Sequence, residues 1–163
     1  MRALYKTTAM LAASAAMLGL TACGGAKTPE QLILGDWVQA SPVSMTEGGM
    51  TITLKDTTAT YNADGTSKGG GTMVLGGLPD DMSTFMIMGD ATWSLADGVL
   101  KETVTSAKVK PGTPSAGAVT IATQVEQEMN KSTTTESEIV SLTKDELIVR
   151  DMESDITMSY KRK

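Results

Sequence analysis

The sequence predicts a mainly β protein: a small antiparallel up-and-down barrel of eight or nine strands, with a short N-terminal helix and one inserted amphipathic helix. A sandwich built from the same strands is the other arrangement such a run allows. Three observations carry the expectation. Apolar and polar residues alternate with a period of two, as Met50, Ile52 and Leu54 do against Thr51, Thr53 and Lys55. Asp-Gly pairs at Asp64-Gly65 and Asp97-Gly98 separate such runs and tolerate the positive φ of tight hairpins. The runs themselves are short, joined mostly by short turns, and show no internal repeat.

The first 22 residues read as an address. Arg2 and Lys6 make a positive start, residues 7–20 carry no charge and are rich in Ala, Leu and Met, and small residues follow. The apolar stretch is shorter than the roughly 20 residues that cross a bilayer. Leu20-Thr21-Ala22-Cys23 closes the signal and resembles the lipobox of bacterial lipoproteins. The resemblance implies that Cys23 receives a diacylglyceryl thioether, becomes the N-terminus after cleavage and is then acylated on its amine, palmitate being a common chain. Two acyl chains suffice for stable anchoring. Gly24 stands where members retained at the inner membrane usually carry Asp, which implies the outer membrane, periplasm-facing or surface-exposed. The organisation expected is a signal peptide over 1–22, a lipidated tether over 23–30 and a barrel domain over 31–163.

Composition removes several function classes. The 163 residues include no histidine and one cysteine, so histidine-based triads, histidine-bearing zinc sites and internal disulfides are excluded. Removing residues 1–22 takes away two of the 14 basic and none of the 19 acidic residues, moving the net charge from −5 to −7 over 141 residues. Nucleic acid is therefore not an expected partner. The one dense basic stretch, Tyr160-Lys161-Arg162-Lys163, reads as a solvated strand end. A chain of this length suits one domain with a sizeable core.

After the tether, Thr28-Pro29-Glu30-Gln31 signals a helix start, with Thr28 as cap, Pro29 at the first position and Gln31 completing a capping box; Gly35 ends a turn or two. Strands are expected at 37–41, 50–54, 58–61, 66–75, 84–95, 99–109, 133–142, 146–152 and 156–162. Ile121, Val125 and Met129 repeat every four residues with Ala118 and Ala122 on the same side, which favours a helix over 118–131; a strand containing Val119 and Ile121 is the competing reading.

Gly35-Asp36-Trp37, just after a helical turn and at the start of the first strand, resembles the Gly-x-Trp motif of lipocalins and of bacterial lipocalin-like lipoproteins. The stretches Tyr61-Asn62-Ala63-Asp64-Gly65-Thr66, Trp93-Ser94-Leu95-Ala96-Asp97-Gly98-Val99-Leu100 and Leu142-Thr143-Lys144-Asp145-Glu146-Leu147 are similar to hairpins of the same proteins. The resemblance implies that Trp37 packs across the closed end of a barrel and that a basic residue of the last strand lies over it in a cation–π contact. Two-residue alternation puts Ile156, Met158, Tyr160 and Arg162 on one face, which makes Arg162 the partner expected for Trp37. The plainer reading is a core aromatic and a frayed terminus.

Chemistry candidates are few. Glu102 shares a face with Leu100 and Val104 and points into the barrel if that face lines it; the opposite register puts Val99 and Thr103 inside and leaves Glu102 at a rim. Met82, Met86 and Met88, with Phe85 and Ile87 between, form the most apolar stretch of the mature chain. Thioethers bind Cu(I), but methionine also lines adaptable apolar cavities, and the reading taken is cavity or core with no metal and no cofactor. Met86, Met88, Trp93 and Glu102 are thus the ligand-cavity candidates. Asp80-Asp81 reads as a loop or helix cap, and Asp64, Asp97 and Asp145 as turn residues. Gly69-Gly70-Gly71 and Gly76-Gly77 lack the Lys-Ser or Lys-Thr of a phosphate loop and read as bulges or flexible points.

No catalytic constellation emerges, so an enzyme is not expected. The function expected is non-enzymatic binding of an apolar or amphipathic small ligand by an outer-membrane-anchored barrel, as the resemblance implies. The other reading is an envelope protein with a filled barrel that contacts another protein as an inhibitor or assembly accessory. Partners are accordingly the membrane through Cys23, a small apolar ligand, or an envelope protein.

Overall fold

Nine strands and three helices follow one another along the chain in the computed structural model, which describes residues 27–47, 49–131 and 133–163; the signal segment and Cys23 lie outside the described residues. In order they are α1 (Pro29–Ile33), β1 (Gly35–Gln39), β2 (Val43–Glu47), β3 (Met50–Tyr61), β4 (Thr66–Leu75), α2 (Asp80–Ser83), β5 (Thr84–Ala96), β6 (Val99–Pro111), α3 (Ala116–Met129), β7 (Thr134–Leu142), β8 (Glu146–Asp151) and β9 (Thr157–Arg162). Every pairing is antiparallel, and the strand order runs β1-β9-β8-β7-β6-β5-β4-β3-β2. β1 also pairs with the C-terminal part of β3, from Gly35 opposite Tyr61 to Val38 opposite Thr58. Eight strands therefore close into a barrel, and β2 is a ninth that extends the N-terminal part of β3.

The turns follow local chemistry. Asp97 (φ 52°) and Gly98 (φ 77°) both take positive φ, the requirement of a two-residue turn that matches strand twist. At the β3–β4 turn Asp64 Oδ1 accepts from the Thr66 amide and hydroxyl, while Gly65 supplies φ 79°. Thr143 Oγ1 accepts from the amides of Asp145 and Glu146 at the β7–β8 turn. Asp80 and Asp81 sit exposed in the first turn of α2, where negative charge suits a helix start.

Three bulges decide which residues face inward; the one at Val140 of β7 lets Ile139 and then Leu142 pack against the basal core. Between Lys55 and Thr58 the β3–β4 register shifts, with Asp56 at φ 55°. Even-numbered Ile52 and Leu54 pack inside before it, odd-numbered Ala59 and Tyr61 after it. The two runs expected at 50–54 and 58–61 are thus one kinked strand. In β6 the extra residue Thr105 does the same, so Leu100 and then Ala107 and Val109 are buried. β2 was not anticipated, because it is short, polar at every second position and stabilised only by the edge it borrows from β3.

α3 starts and ends two residues earlier than the expected 118–131, capped by Ser115, whose Oγ accepts from the Ala118 amide. β6 parts from β7 beyond Thr103, which would leave amides of its outer half unpaired. Side chains of α3 and its cap take their place. Glu126 Oε2 accepts from the Val109 amide at 2.8 Å, and the Asn130 amide bonds both the N–H and the C=O of Ala107, at 2.8 and 2.9 Å.

The interior holds two cores. The basal core gathers Ile33, Trp37, Tyr61, Leu100, Leu147, Val149 and Tyr160. The distal one joins Met73, Leu75, Phe85 and Val109 to Ala122 of α3, with Ile121, Val125 and Met129 packed against it. At the base the Arg162 guanidinium carbon lies 4.1 Å from the Trp37 ring centroid. Its nitrogens donate to the carbonyls of Leu32, Leu34 and Lys144, the first two being orphans left where α1 ends. The Trp37 indole donates to the Ile33 carbonyl at 2.7 Å. Gly35 has φ 111°, and a Cβ there would stand 2.7 Å from Arg162 Nη1, so two independent constraints require glycine beside the tryptophan.

Arg162→Ala is expected to cost about 2–4 kcal/mol in urea unfolding, since a cation–π contact and charge-assisted hydrogen bonds go together. Arg162→Lys should recover less than half of the loss, because an ammonium cannot fork to separate carbonyls while stacking on the ring. A lysine variant as stable as the wild type would show that charge alone closes the base.

Candidate functional site

Between the two cores the barrel encloses a cavity of about 310 Å³ that opens to solvent and is bounded mostly by apolar surface. An eight-strand barrel is just wide enough for its side chains to fill. Here the inward positions of β4 and β5 between the cores carry almost none: Gly69, Gly71, Gly89 and Ala91 all line the cavity. Gly71 has a second reason to be glycine, because a Cβ would meet Thr57 Oγ1 at 2.9 Å where the β3 bulge leans in. Val104 and Ile87 add apolar wall, and Met129 at the end of α3 forms part of the boundary.

The floor is polar. Glu102, Ser67, Tyr61 and Tyr160 come from β6, β4, β3 and β9 and line the same space. Ser67, 3% exposed, donates from its hydroxyl to Glu102 Oε1 at 3.3 Å. Burial pushes the Glu102 carboxyl above its usual range, and the hydroxyls of Tyr61 and Ser67 pull it partly back. Burial likewise raises both phenols, with the Glu102 charge adding to it; Tyr160 is pushed up to about 12 and Tyr61 well above its ordinary value. The ion pairs among the described residues do not involve Glu102. Lys68, which borders the cavity, pairs with Asp90 at 3.8 Å, both side chains being largely exposed.

The candidates divide. Glu102 points inward, in the register that also buries Leu100. Met86 and Met88 do not line the cavity: they stand on the outer face, 48% and 44% exposed, because β5 turns Phe85, Ile87 and Gly89 inward and a shift of one residue exchanges faces. Trp93 faces inward but lies in the basal core rather than on the cavity wall. Its ring meets Tyr61 edge-on at 5.5 Å, and its indole donates to the Asn62 carbonyl at 3.0 Å. Trp37 and Arg162 belong to the barrel base and do not touch the cavity. Cys23 lies outside the described residues.

Sequence reasoning missed the cavity walls. The signal was present in Ser67, Gly69 and Gly71, small residues two apart, opposite Gly89 and Ala91 on the next strand. Among the described residues no group of three or more His, Cys, Asp or Glu side chains is placed to hold a metal ion. No helix among them is long and apolar enough to cross a membrane.

The crystal structure of an uncharacterized protein from Bacteroides eggerthii is similar with a TM-score of 0.45, at 9% identity, over 80% of this chain and 99% of that one. A redesigned β-barrel, mFAP1, in complex with DFHBI, gives a TM-score of 0.35 at 11% identity, over 83% and 98% of the two chains. No protein-family model matches the chain, and no curated protein does.

Because the folded protein holds the Glu102 proton more tightly than the unfolded chain does, this group favours folding at low pH, and its contribution is lost as pH rises through the raised value. Glu102→Gln is therefore expected to melt close to the wild type near about pH 4 and above it near about pH 7. Thermal melts across that range would read the difference, and a variant equally destabilised at both ends would refute the placement of the carboxylate.

Proposed function

We propose that this protein is a lipid-anchored envelope barrel that binds a small apolar or amphipathic molecule in the space between its two cores, without catalysing a reaction. The observation that carries the reading is the cavity itself. Glycine and alanine at four inward positions of two paired strands leave open a volume that ordinary side chains would close. Its size falls at the lower end of ordinary small-molecule sites, and an apolar wall with a few convergent polar groups is what such sites share. The filled interior expected of a barrel that works only through its outer surface sits poorly with that volume.

The anchor rests on Leu20-Thr21-Ala22-Cys23 and the charged, then apolar, segment before it. Cys23 precedes the capping residue Thr28 by a few residues, so acyl chains there would hold α1, and with it the basal end, near the bilayer. With Gly24 next to the cysteine, the outer membrane is the proposed location. Retention rather than secretion would place the cavity where amphipathic molecules enter and leave the envelope.

N-phenyl-1-naphthylamine, a neutral fluorophore that brightens in apolar surroundings, is expected to titrate to saturation. Ala91→Phe, which puts a ring into the cavity, should weaken it by about tenfold or more while leaving the fold intact by circular dichroism. Unsaturable fluorescence, or identical titrations for both proteins, would exclude the cavity as the site. The anchor is tested separately. Labelled palmitate should enter the wild type and not Cys23→Ala, which should lose membrane fractionation; unchanged fractionation would refute lipidation at that sulfur.

A further inference from the structure

We propose that the molecule held in this cavity is an amphipathic cation, an ammonium or amidinium group on an apolar body, whose charge pairs with Glu102. The inference deepens the binding reading above and depends on it. Its basis is a mismatch between one side chain and its surroundings. The cavity is mostly apolar, yet a carboxylate forms part of its floor.

Several contacts could have answered that charge and do not. Lys101, next in sequence, faces the other way and pairs with Glu136 at 3.0 Å. Lys68 is engaged with Asp90. Arg162 is committed to Trp37 and to backbone carbonyls at the base. The groups that face Glu102 from each neighbouring strand are Tyr61 of β3, Ser67 of β4, Trp93 of β5, Thr135 of β7 and Tyr160 of β9. None is cationic. Hydroxyls meet part of the carboxylate's hydrogen-bonding capacity, which spans about four acceptor sites, but no cation among the described residues pairs with its charge.

A ligand cation supplies what is missing. It neutralises the carboxylate in a half-buried, mostly apolar space, so the pair is stronger than at an open surface. Tyr61 and Tyr160 on the same floor add aromatic rings, which favour ammonium groups. The apolar part then lies against Ile87, Ala91, Val104 and Met129. A fatty acid fits the walls equally well but brings a second negative charge to Glu102, and a neutral alcohol leaves the carboxylate unanswered. The cavity as built selects on head-group charge.

The probes are octylamine, octanol and octanoate, each used to displace N-phenyl-1-naphthylamine from the protein at neutral pH. Octylamine is expected to compete about tenfold better than octanol, and octanoate worst. Glu102→Gln should bring octylamine down to the level of octanol while octanol itself is unchanged. In the wild type, octylamine should also weaken as pH falls and Glu102 protonates, with octanol flat; the facing tyrosines keep their protons throughout that range. Octanoate competing as well as octylamine, or a flat pH profile for the amine, would overturn the inference even if Glu102→Gln failed to fold. Should the fluorophore bind while octylamine fails to displace it, the cavity reading stands and the cation falls. Should the fluorophore not bind either, both fall together.

Discussion

Arg162 engages three separate parts of the chain at once, and the rest of the barrel depends on that. Its guanidinium stacks on Trp37 of β1 and donates to carbonyls at the end of α1 and in the β7–β8 turn. β1 and β9 are also paired strand to strand, with Trp37 opposite Arg162. One side chain near the end of the last strand therefore supports the seam where that strand meets the first, and meets carbonyls that a five-residue helix could not satisfy alone. Gly35 is the complement of this arrangement: its left-handed backbone and absent Cβ make the room the guanidinium occupies.

Closing the base does not fill the interior. Side chains that enter the barrel are large near the base and again under α3, and small between. The bulges of β3 and β6 add to this, because each reverses the alternation and so lets residues of both parities enter along one strand. At the distal end α3 performs two tasks. Its apolar face covers Phe85 and Val109, while Glu126 and the adjoining Asn130 supply hydrogen bonds where β6 has lost its neighbour. A helix packed on a free strand edge in this way keeps that edge from recruiting another chain. The cavity lies between these two apolar cores.

Glu102 illustrates how the two halves of the molecule combine. The barrel brings it within reach of hydroxyls from β3 and β4 and of a phenol from β9, none of them its sequence neighbours. Burial then makes it hold its proton more tightly, against the opposing pull of the Tyr61 and Ser67 hydroxyls, and the cavity lies in front of it.

Much of this was legible from local patterns. Period-two alternation, the Asp-Gly turns, the capping box at Thr28-Pro29-Glu30-Gln31 and the four-residue repeat of Ile121, Val125 and Met129 each report a short-range preference, and each lies in an element of the kind it signals. Facing was harder. Met86 and Met88 look like cavity residues because they are apolar, but hydrophobicity says only that a residue can be buried, and parity along β5 is set by Phe85 entering the distal core. Bulges escaped notice because an extra residue in a ladder exists only relative to the strand opposite. The cavity escaped for a similar reason: Gly69, Gly71, Gly89 and Ala91 are ordinary small residues until pairing lays them side by side. Periodicity is a property of one segment and can be read from it; a void, a free edge and an unpaired charge are properties of what several segments do not supply to one another, and they come into being only when the chain closes.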